Sequence, residues 1–349
     1  MEAKKQNIRH LNLDEIKVFL KANEVQAFRG KQIYEWLWKK SARSFEEMSN
    51  LSKDLRQLLS DNFTLNAVTI HSSQTSSDRT IKFAFKLFDG NIIEGVLIPT
   101  ETRMTACVSS QVGCSLSCKF CATGSLGFTR NLFYDEIYDQ VAIIGQQAIE
   151  KYQIPLTNIV FMGMGEPLLN YDNLLQSIEI ITNPEGLGMS PRRITVSTVG
   201  LAKFIKRLGD DDLKFYLALS LHAANDIKRQ SIIPVSEHNS LKTLIDALKY
   251  YHAKTQNRIT IEYLLIKGFN DTLNDAKELA VFCRNFPVKV NLIEYNSVEK
   301  TGYLKSMKET TTAFAEYLES KNMVVNIRYS RGKDIDAACG QLANKIKNK

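Results

Sequence analysis

The chain has 349 residues, 44% hydrophobic and 24% charged, which fits one large α/β domain with a small appendage. No apolar run approaches the roughly 18–20 residues of a membrane span, and the opening MEAKKQNIRHLNLDEI lacks the apolar core of a secretory signal; a spanning helix is excluded and a cytoplasmic location is expected. The net charge of +7 suits a partner rich in phosphates, whose neutralisation releases counterions, although a basic balance also occurs without one.

Residues 1–65 read as a helical accessory module. Asn12 with Glu15 opens one helix with cap spacing, and Ser44 with Glu47 is the pattern of a capping box opening another. Between them Ile33, Trp36 and Leu37 form an i, i+3, i+4 apolar stripe. Residues 1–60 hold twelve Lys/Arg against eight Asp/Glu, which suits either a solvated face or an RNA-contacting surface. Residues 66–102 are β-rich. TIKFAFKLF and NIIEGVLIPT flank Asp89-Gly90, a strong hairpin signal, and AVTIHSSQ precedes them.

Residues 103–342 alternate strands with helix-length intervals. The strand candidates are TACVSSQ, NIVFMGMG, RITVSTVG, KFYLALSLH, RITIEYLLI and KVNLIEYN, with MVVNIRYS as a seventh. Such alternation argues for parallel β/α units, and six of them predict a partial (β/α)6 barrel rather than a complete eightfold one. In these folds the chemistry gathers at the carboxyl ends of the strands. Gly165-Glu166, Ser197, Ser220-His222 and Asn296 all end strand-like runs. Residues 343–349 are expected to form a basic tail.

Four of the six cysteines, Cys107, Cys114, Cys118 and Cys121, lie within fifteen residues. In a reducing compartment such clustering points to metal binding or catalysis rather than a disulfide framework. Cys114, Cys118 and Cys121 form C-x3-C-x2-C on a loop after the first barrel strand. Three thiolates can hold three irons of a 4Fe–4S cluster and leave the fourth open to the amino and carboxylate groups of a methionine moiety. Structural zinc usually takes four protein ligands, and no fourth Cys or His follows at that spacing. Cys283, on an apolar helix-like face, reads as core.

An aromatic, Phe120, precedes the last cysteine, and the wider strings are CVSSQVGCSLSCKFCATG, MGMGEPL, SLHA and DIDAACGQL. Together, from about Glu94 to Leu342, they closely resemble the RlmN/Cfr family of radical S-adenosylmethionine (SAM) RNA adenine methyltransferases. The resemblance implies a 4Fe–4S cluster on Cys114, Cys118 and Cys121 and two SAM molecules per turnover. The first methylates Cys339. The second yields a 5′-deoxyadenosyl radical that removes hydrogen from that methyl, and the resulting radical adds to adenine. Cys107 then resolves the adduct as a transient disulfide, reopened by reductant. Glu94, thirteen residues before Cys107, matches the family's catalytic carboxylate. The remaining matches are SAM contacts at Gly165, Glu166, Ser197, Ser220, Leu221, His222 and Asn296; His222 alone would read as an ordinary barrel histidine.

The implied substrates are 23S rRNA and tRNA, the latter at the adenine 3′ to the anticodon, with a flavodoxin-like electron donor and a monomeric enzyme. Arg103, Arg130, Arg192, Arg193 and Arg331 are candidates to track phosphates, or ordinary surface arginines. SSQVGCSLSC resembles the RlmN type, which methylates carbon 2. Cfr-type sequences, which methylate carbon 8, tend to carry another cysteine where Val112 stands. The alternatives are therefore carbon-8 methylation, sulfur insertion (which usually needs a second cluster) and a zinc-stabilised RNA-binding protein without catalysis.

Overall fold

The computed structural model describes residues 5–211, 213–298 and 301–343. The predicted basic tail, from residue 344 on, lies outside the described residues. Strand β1 (Gln6–Asn7) pairs in parallel with β2 (Phe63–Thr64), and helices α1 (Leu13–Ala22), α2 (Arg29–Trp38) and α3 (Lys53–Asn62) lie between them. Asn12 caps α1 as its spacing predicts: its Oδ1 accepts from the amides of Asp14 and Glu15, both at 2.9 Å, and Glu15 accepts from the Asn12 amide at 2.7 Å. On α2, Ile33 and Leu37 are buried, while Trp36 lies at the module's edge and donates from its indole N–H to Asn50.

The Ser44–Glu47 box does not open a helix. Residues 41–52 follow an irregular path, and α3 begins only after Ser52, whose Oγ accepts from the Leu55 amide at 3.3 Å. Tertiary packing overrides the local signal: Phe45, Met48 and Leu51 are all buried, and the stretch is held as successive turns, with the Met48 amide donating to the Phe45 carbonyl at 3.2 Å and the Leu51 amide to that of Met48 at 2.9 Å.

The module docks on α4 (Tyr134–Tyr152) through buried polar contacts. Arg9 donates to Asp139 at 2.6 Å and to the Ala42 carbonyl at 2.9 Å, Asn7 donates to Asp135 at 2.7 Å, and the Val68 amide donates to Asp139 at 2.9 Å.

One ten-stranded sheet forms the rest of the frame. Strands β3 (Thr69–Thr75), β4 (Ile81–Lys86), β5 (Ile92–Pro99) and β6 (Met104–Cys107) are antiparallel neighbours. From β6 the sheet continues in parallel through β9 (Asn158–Phe161), β10 (Ile194–Thr198), β11 (Tyr216–Ser220), β12 (Ile259–Leu265), β13 (Val288–Glu294) and β14 (Val324–Arg328). Helices α5 (Tyr171–Thr182), α6 (Ala202–Asp210), α7 (Asp226–Ile232), α8 (Leu241–Thr255), α9 (Leu273–Cys283) and α10 (Lys308–Glu319) complete the crossovers. This is the predicted partial barrel. The β-rich extension is not a separate sheet, because β6 pairs with β5 on one edge and β9 on the other. Cys283 is core, as expected. Among the described residues no helix is long and apolar enough to cross a membrane.

Removing one partner of a buried ion pair leaves the other uncompensated, at about 3–5 kcal/mol. Arg9→Ala is therefore expected to lower unfolding stability by that amount, whereas Ser44→Ala changes it by less than about 0.5 kcal/mol. Denaturant unfolding followed by circular dichroism checks both, and comparable losses would contradict this account of how the module is held.

Candidate active site

The cysteine loop hangs from a two-stranded ribbon, β7 (Gln111–Gly113) with β8 (Phe128–Asn131). The Cys114 amide donates to the Gly127 carbonyl at 2.7 Å and closes the loop at its base. Gly113, at φ +76°, is required there, since a Cβ would lie 1.9 Å from that carbonyl oxygen. Inside the loop, successive turns join Cys121 to Cys118 and Gly124 to Cys121, so the three thiols share one wall of a deep cavity. Burial pushes the Cys114 thiol up to about 11, and burial with the neighbouring thiols raises Cys118 further.

The opposite wall is built from strand ends. After β9 the chain crosses the cavity as Gly163-Met164-Gly165-Glu166, pinned by the Ser109 hydroxyl and the Gln111 side chain to the amides of Met164 and Glu166 at 2.8 and 2.9 Å. Gly165, at φ +95°, has no room for a side chain, because a Cβ would lie 2.5 Å from that of Gln111. Glu166 is buried and accepts from the amides of Leu168 (3.1 Å) and Val199 (2.9 Å); burial nonetheless pushes its carboxyl up to about 7. Ser197 and Ser220, at the ends of β10 and β11, stand 3.1 Å apart, hydroxyl to hydroxyl.

His222 follows at φ +58°, and its Nδ1 accepts from the Leu264 amide at 3.1 Å. Burial, with Arg229 adding to it, lowers its pKa to about 3. The ring is therefore neutral, with its proton on Nε2. It meets Phe120 edge-on at 4.7 Å. Leu221 differs from its neighbours: it is wholly buried and not part of the cavity lining, and its amide donates to the carbonyl of Glu262, a lining residue, at 3.0 Å.

The C-terminal segment closes the cavity. The Ala122 amide donates to the Gly340 carbonyl at 2.7 Å, and the Thr123 hydroxyl donates to Leu342 at 2.6 Å. The Asn296 amide donates to the Cys339 carbonyl at 3.3 Å. Cys339 thereby faces the same cavity as Cys107, at the end of β6. Burial, and then the nearby Cys339, pushes Cys107 up to about 12. Cys339 keeps solvent access yet sits among wall atoms that raise its pKa, while Arg328 pulls both thiols down. Glu94 is buried behind the wall. One oxygen accepts from the Ala343 amide at 2.9 Å; the other has no hydrogen bond and lies 3.6 Å from the Lys82 ammonium.

Comparison with known proteins places this constellation. The model for the ribosomal RNA large subunit methyltransferase N-terminal domain matches residues 6–65, and that for the radical SAM superfamily matches residues 108–280. A probable dual-specificity RNA methyltransferase RlmN of Cytophaga hutchinsonii is 56% identical over 99% of this chain and 94% of its own. The Flavobacterium psychrophilum protein of the same description is 52% identical over 99% of both chains. The chain belongs to the RlmN family. A solved radical SAM methyltransferase from Sphaerobacter thermophilus matches with a TM-score of 0.92 at 40% identity, over 97% of this chain and 99% of that one. The protein is accordingly a SAM-dependent RNA methyltransferase of the radical class, and the RlmN family implies both SAM and a 4Fe–4S cluster.

The residues present fit these groups. Among the described residues no three Cys, His, Asp or Glu side chains converge as they would around a single metal ion. A four-iron cluster instead takes each thiolate on its own iron. Burial favours the protonated form of the Cys114 and Cys118 thiols, and coordination ionises a thiol outright. Glu166, the two serines, His222 and Asn296 give the cavity the few convergent polar groups of a small-molecule site.

Sequence reasoning missed the polar row behind Cys339. Ser220, Glu262, Asn291 and Asn326 are register partners on successive strands. Asn291 donates to Glu262 at 2.8 Å, and Arg328 lies 3.4 Å from Glu262 at the cavity wall. The available signal was a carboxylate within the apolar ITIEYLL, a setting that Glu94 shares in NIIEGVLIP. Of the candidate arginines, only Arg331 lines the cavity. Arg130 is committed elsewhere, to Glu136 at 2.7 and 2.9 Å and to Asp89 at 2.6 Å.

In cluster-free protein near neutral pH, iodoacetamide is expected to label Cys339 ahead of Cys107. Labelling of Cys107 should rise as pH climbs toward about 12, because only the thiolate reacts. Arg328→Gln should slow labelling of Cys339 by about tenfold, the thiolate lost per pKa unit. Peptide mass mapping reads both, and a Cys339 rate indifferent to the substitution would remove Arg328 from the account.

Proposed function

We propose that this enzyme methylates carbon 2 of an adenine in 23S rRNA and of the adenine 3′ to the anticodon in some tRNAs, using two SAM molecules per turnover. The observation that carries the reading is the single cavity shared by Cys107, Cys339 and the three loop cysteines, with Cys339 delivered from the far end of the chain. Cys114, Cys118 and Cys121 would hold the cluster. Gly165, Glu166, Ser197, Ser220, the backbone of Leu221, His222 and Asn296 would hold SAM, with buried Glu166 and the Nε2–H of His222 supplying an acceptor and a donor. The bound cluster, once reduced, supplies from SAM the radical that abstracts hydrogen.

Cys339 acts first as a nucleophile. Its thiolate attacks the methyl carbon of one SAM, taking the methyl as S-adenosylhomocysteine leaves, and Arg328 beside it favours that thiolate. After hydrogen abstraction, the methylene on Cys339 sulfur bonds to the adenine carbon. Glu94, with one oxygen free of hydrogen bonds, takes the ring proton, and the electron released from the adduct would return to the oxidised cluster held by Cys114, Cys118 and Cys121. The Cys107 thiolate then attacks Cys339 sulfur. The sulfur–carbon bond breaks, its electron pair stays on the methylene, which is protonated to methyl, and the two cysteines are left as a disulfide. A flavodoxin-like donor and a thiol reductant restore the enzyme. We place the protein in the cytoplasm as a monomer.

Nucleoside mass spectrometry tests the reading on rRNA and tRNA from a strain lacking both adenine activities, after anaerobic incubation with loaded enzyme, SAM and reductant. 2-Methyladenosine in both RNAs is expected, and 8-methyladenosine alone would overturn the regiochemistry. Cys339→Ala should abolish methylation, and Cys107→Ala should accumulate RNA covalently bound to protein. Absence of that crosslink from an otherwise loaded variant would refute the resolving role.

A further inference from the structure

We propose that Arg229 is the counter-charge of the iron–sulfur cluster, presenting its Nη1, which has no hydrogen-bond partner, on the Cys118 side and setting the cluster's reduction potential. The proposal rests on the reading of Cys118 as a cluster ligand. Arg229 lies on α7 and is 0% exposed. Its Nε donates to the Leu221 carbonyl at 3.2 Å and its Nη2 to the Val199 carbonyl, both just beyond the ends of barrel strands. Nη1 is buried and has no hydrogen-bond partner. The nearest carboxylate in sequence, Asp226, accepts from the Leu241 amide at 2.8 Å and offsets the Arg229 charge only through space.

The helix that carries Arg229 rests on the cysteine loop. The Lys119 amide donates to the Ile232 carbonyl at 3.0 Å, and Ile232 and Ile233 pack with Leu116 and Cys118. Arg229 and Cys118 act on each other electrostatically. A buried cation with no hydrogen-bonded carboxylate is costly, and a buried N–H without an acceptor adds to that. A four-iron cluster on three thiolates is anionic and gains a further negative charge on reduction. It offers the acceptor and the charge that the site lacks. Because the cation favours the more negative state, it raises the potential, which net charge and hydrogen bonds to the sulfurs control in such clusters.

The test compares wild type, Arg229→Lys and Arg229→Met, reconstituted anaerobically without SAM, by redox titration followed by electron paramagnetic resonance. Arg229→Met should reduce about tenfold less readily, a shift of about 59 mV for one electron, and Arg229→Lys should recover most of it. Thermal unfolding of cluster-free and loaded protein gives a second readout. The loss on Arg229→Met should be larger in the loaded form, or the variant should melt normally when cluster-free yet fail to retain iron. Unchanged midpoints, or equal losses of melting temperature in both forms, would overturn the proposal and leave Arg229 as a brace between two carbonyls. Full iron uptake by Cys118→Ala would instead overturn the ligand assignment, a failure distinguishable from the other.

Discussion

The site depends on how the last described residues are tied down. Cys339 is far in sequence from both the cysteine loop and β6, and nothing in its own short turn would hold it over the cavity. Hydrogen bonds to the segment's backbone do so: the Ala122 amide to the Gly340 carbonyl, the Thr123 hydroxyl to Leu342, the Asn296 side chain to Cys339, and the Ala343 amide to the Glu94 carboxylate. The turn between β3 and β4 grips the segment from the other side, with Asp78 accepting from the Gly332 amide at 2.9 Å and Asp334 from that of Ser77 at 3.0 Å. The antiparallel extension is thus part of the active-site frame. It supplies Glu94 and the turn that clamps the tail, and it fixes β6, whose end carries Cys107.

The groups lining the cavity resist charge almost everywhere. Burial raises Cys107, Cys114, Cys118 and Glu166 and lowers His222, so each of these groups is pushed toward its neutral form. The cations in this neighbourhood are placed accordingly. Arg328, which Glu262 and the two thiols hold above its ordinary value against the effect of burial, serves the cysteines. Arg229 faces the loop. A site arranged in this way gives a strong electrostatic response to whatever charged group enters it, because little water remains to screen the interaction.

Local features of the fold were legible in the sequence, and registers between strands were not. The Asn12 cap, the hairpin at Asp89-Gly90, the strand ends and the cysteine loop are each set by a few neighbouring residues, so spacing alone exposes them. Ser44 and Glu47 have the letters of a capping box, but burial of Phe45, Met48 and Leu51 decides that stretch, and only tertiary packing reveals it. Glu262, Asn291 and Arg328 sit on three strands separated by two crossovers, and they become a network only when β12, β13 and β14 align. Leu221 matched its motif as a letter, yet the residue lies in the core and does not line the cavity. Arg130 looked available for a phosphate because the sequence does not show that Asp89 and Glu136 converge on it.

The same enclosure constrains the substrate. The cavity is walled by the sheet, the cysteine loop and the C-terminal segment, and Cys339 forms part of that wall. An adenine stacked within a duplex cannot present its carbon 2 to a sulfur held this way, because its neighbours would have to enter the protein with it. On the proposed reaction the base must leave its stack, which costs least in a loop or bulge. Two RNAs of different overall fold can then share one site if each offers an extrudable adenine. Specificity would fall to surfaces outside the cavity, and the N-terminal module, fixed to the barrel by the buried Arg9–Asp139 pair, is held rigidly enough to serve as one.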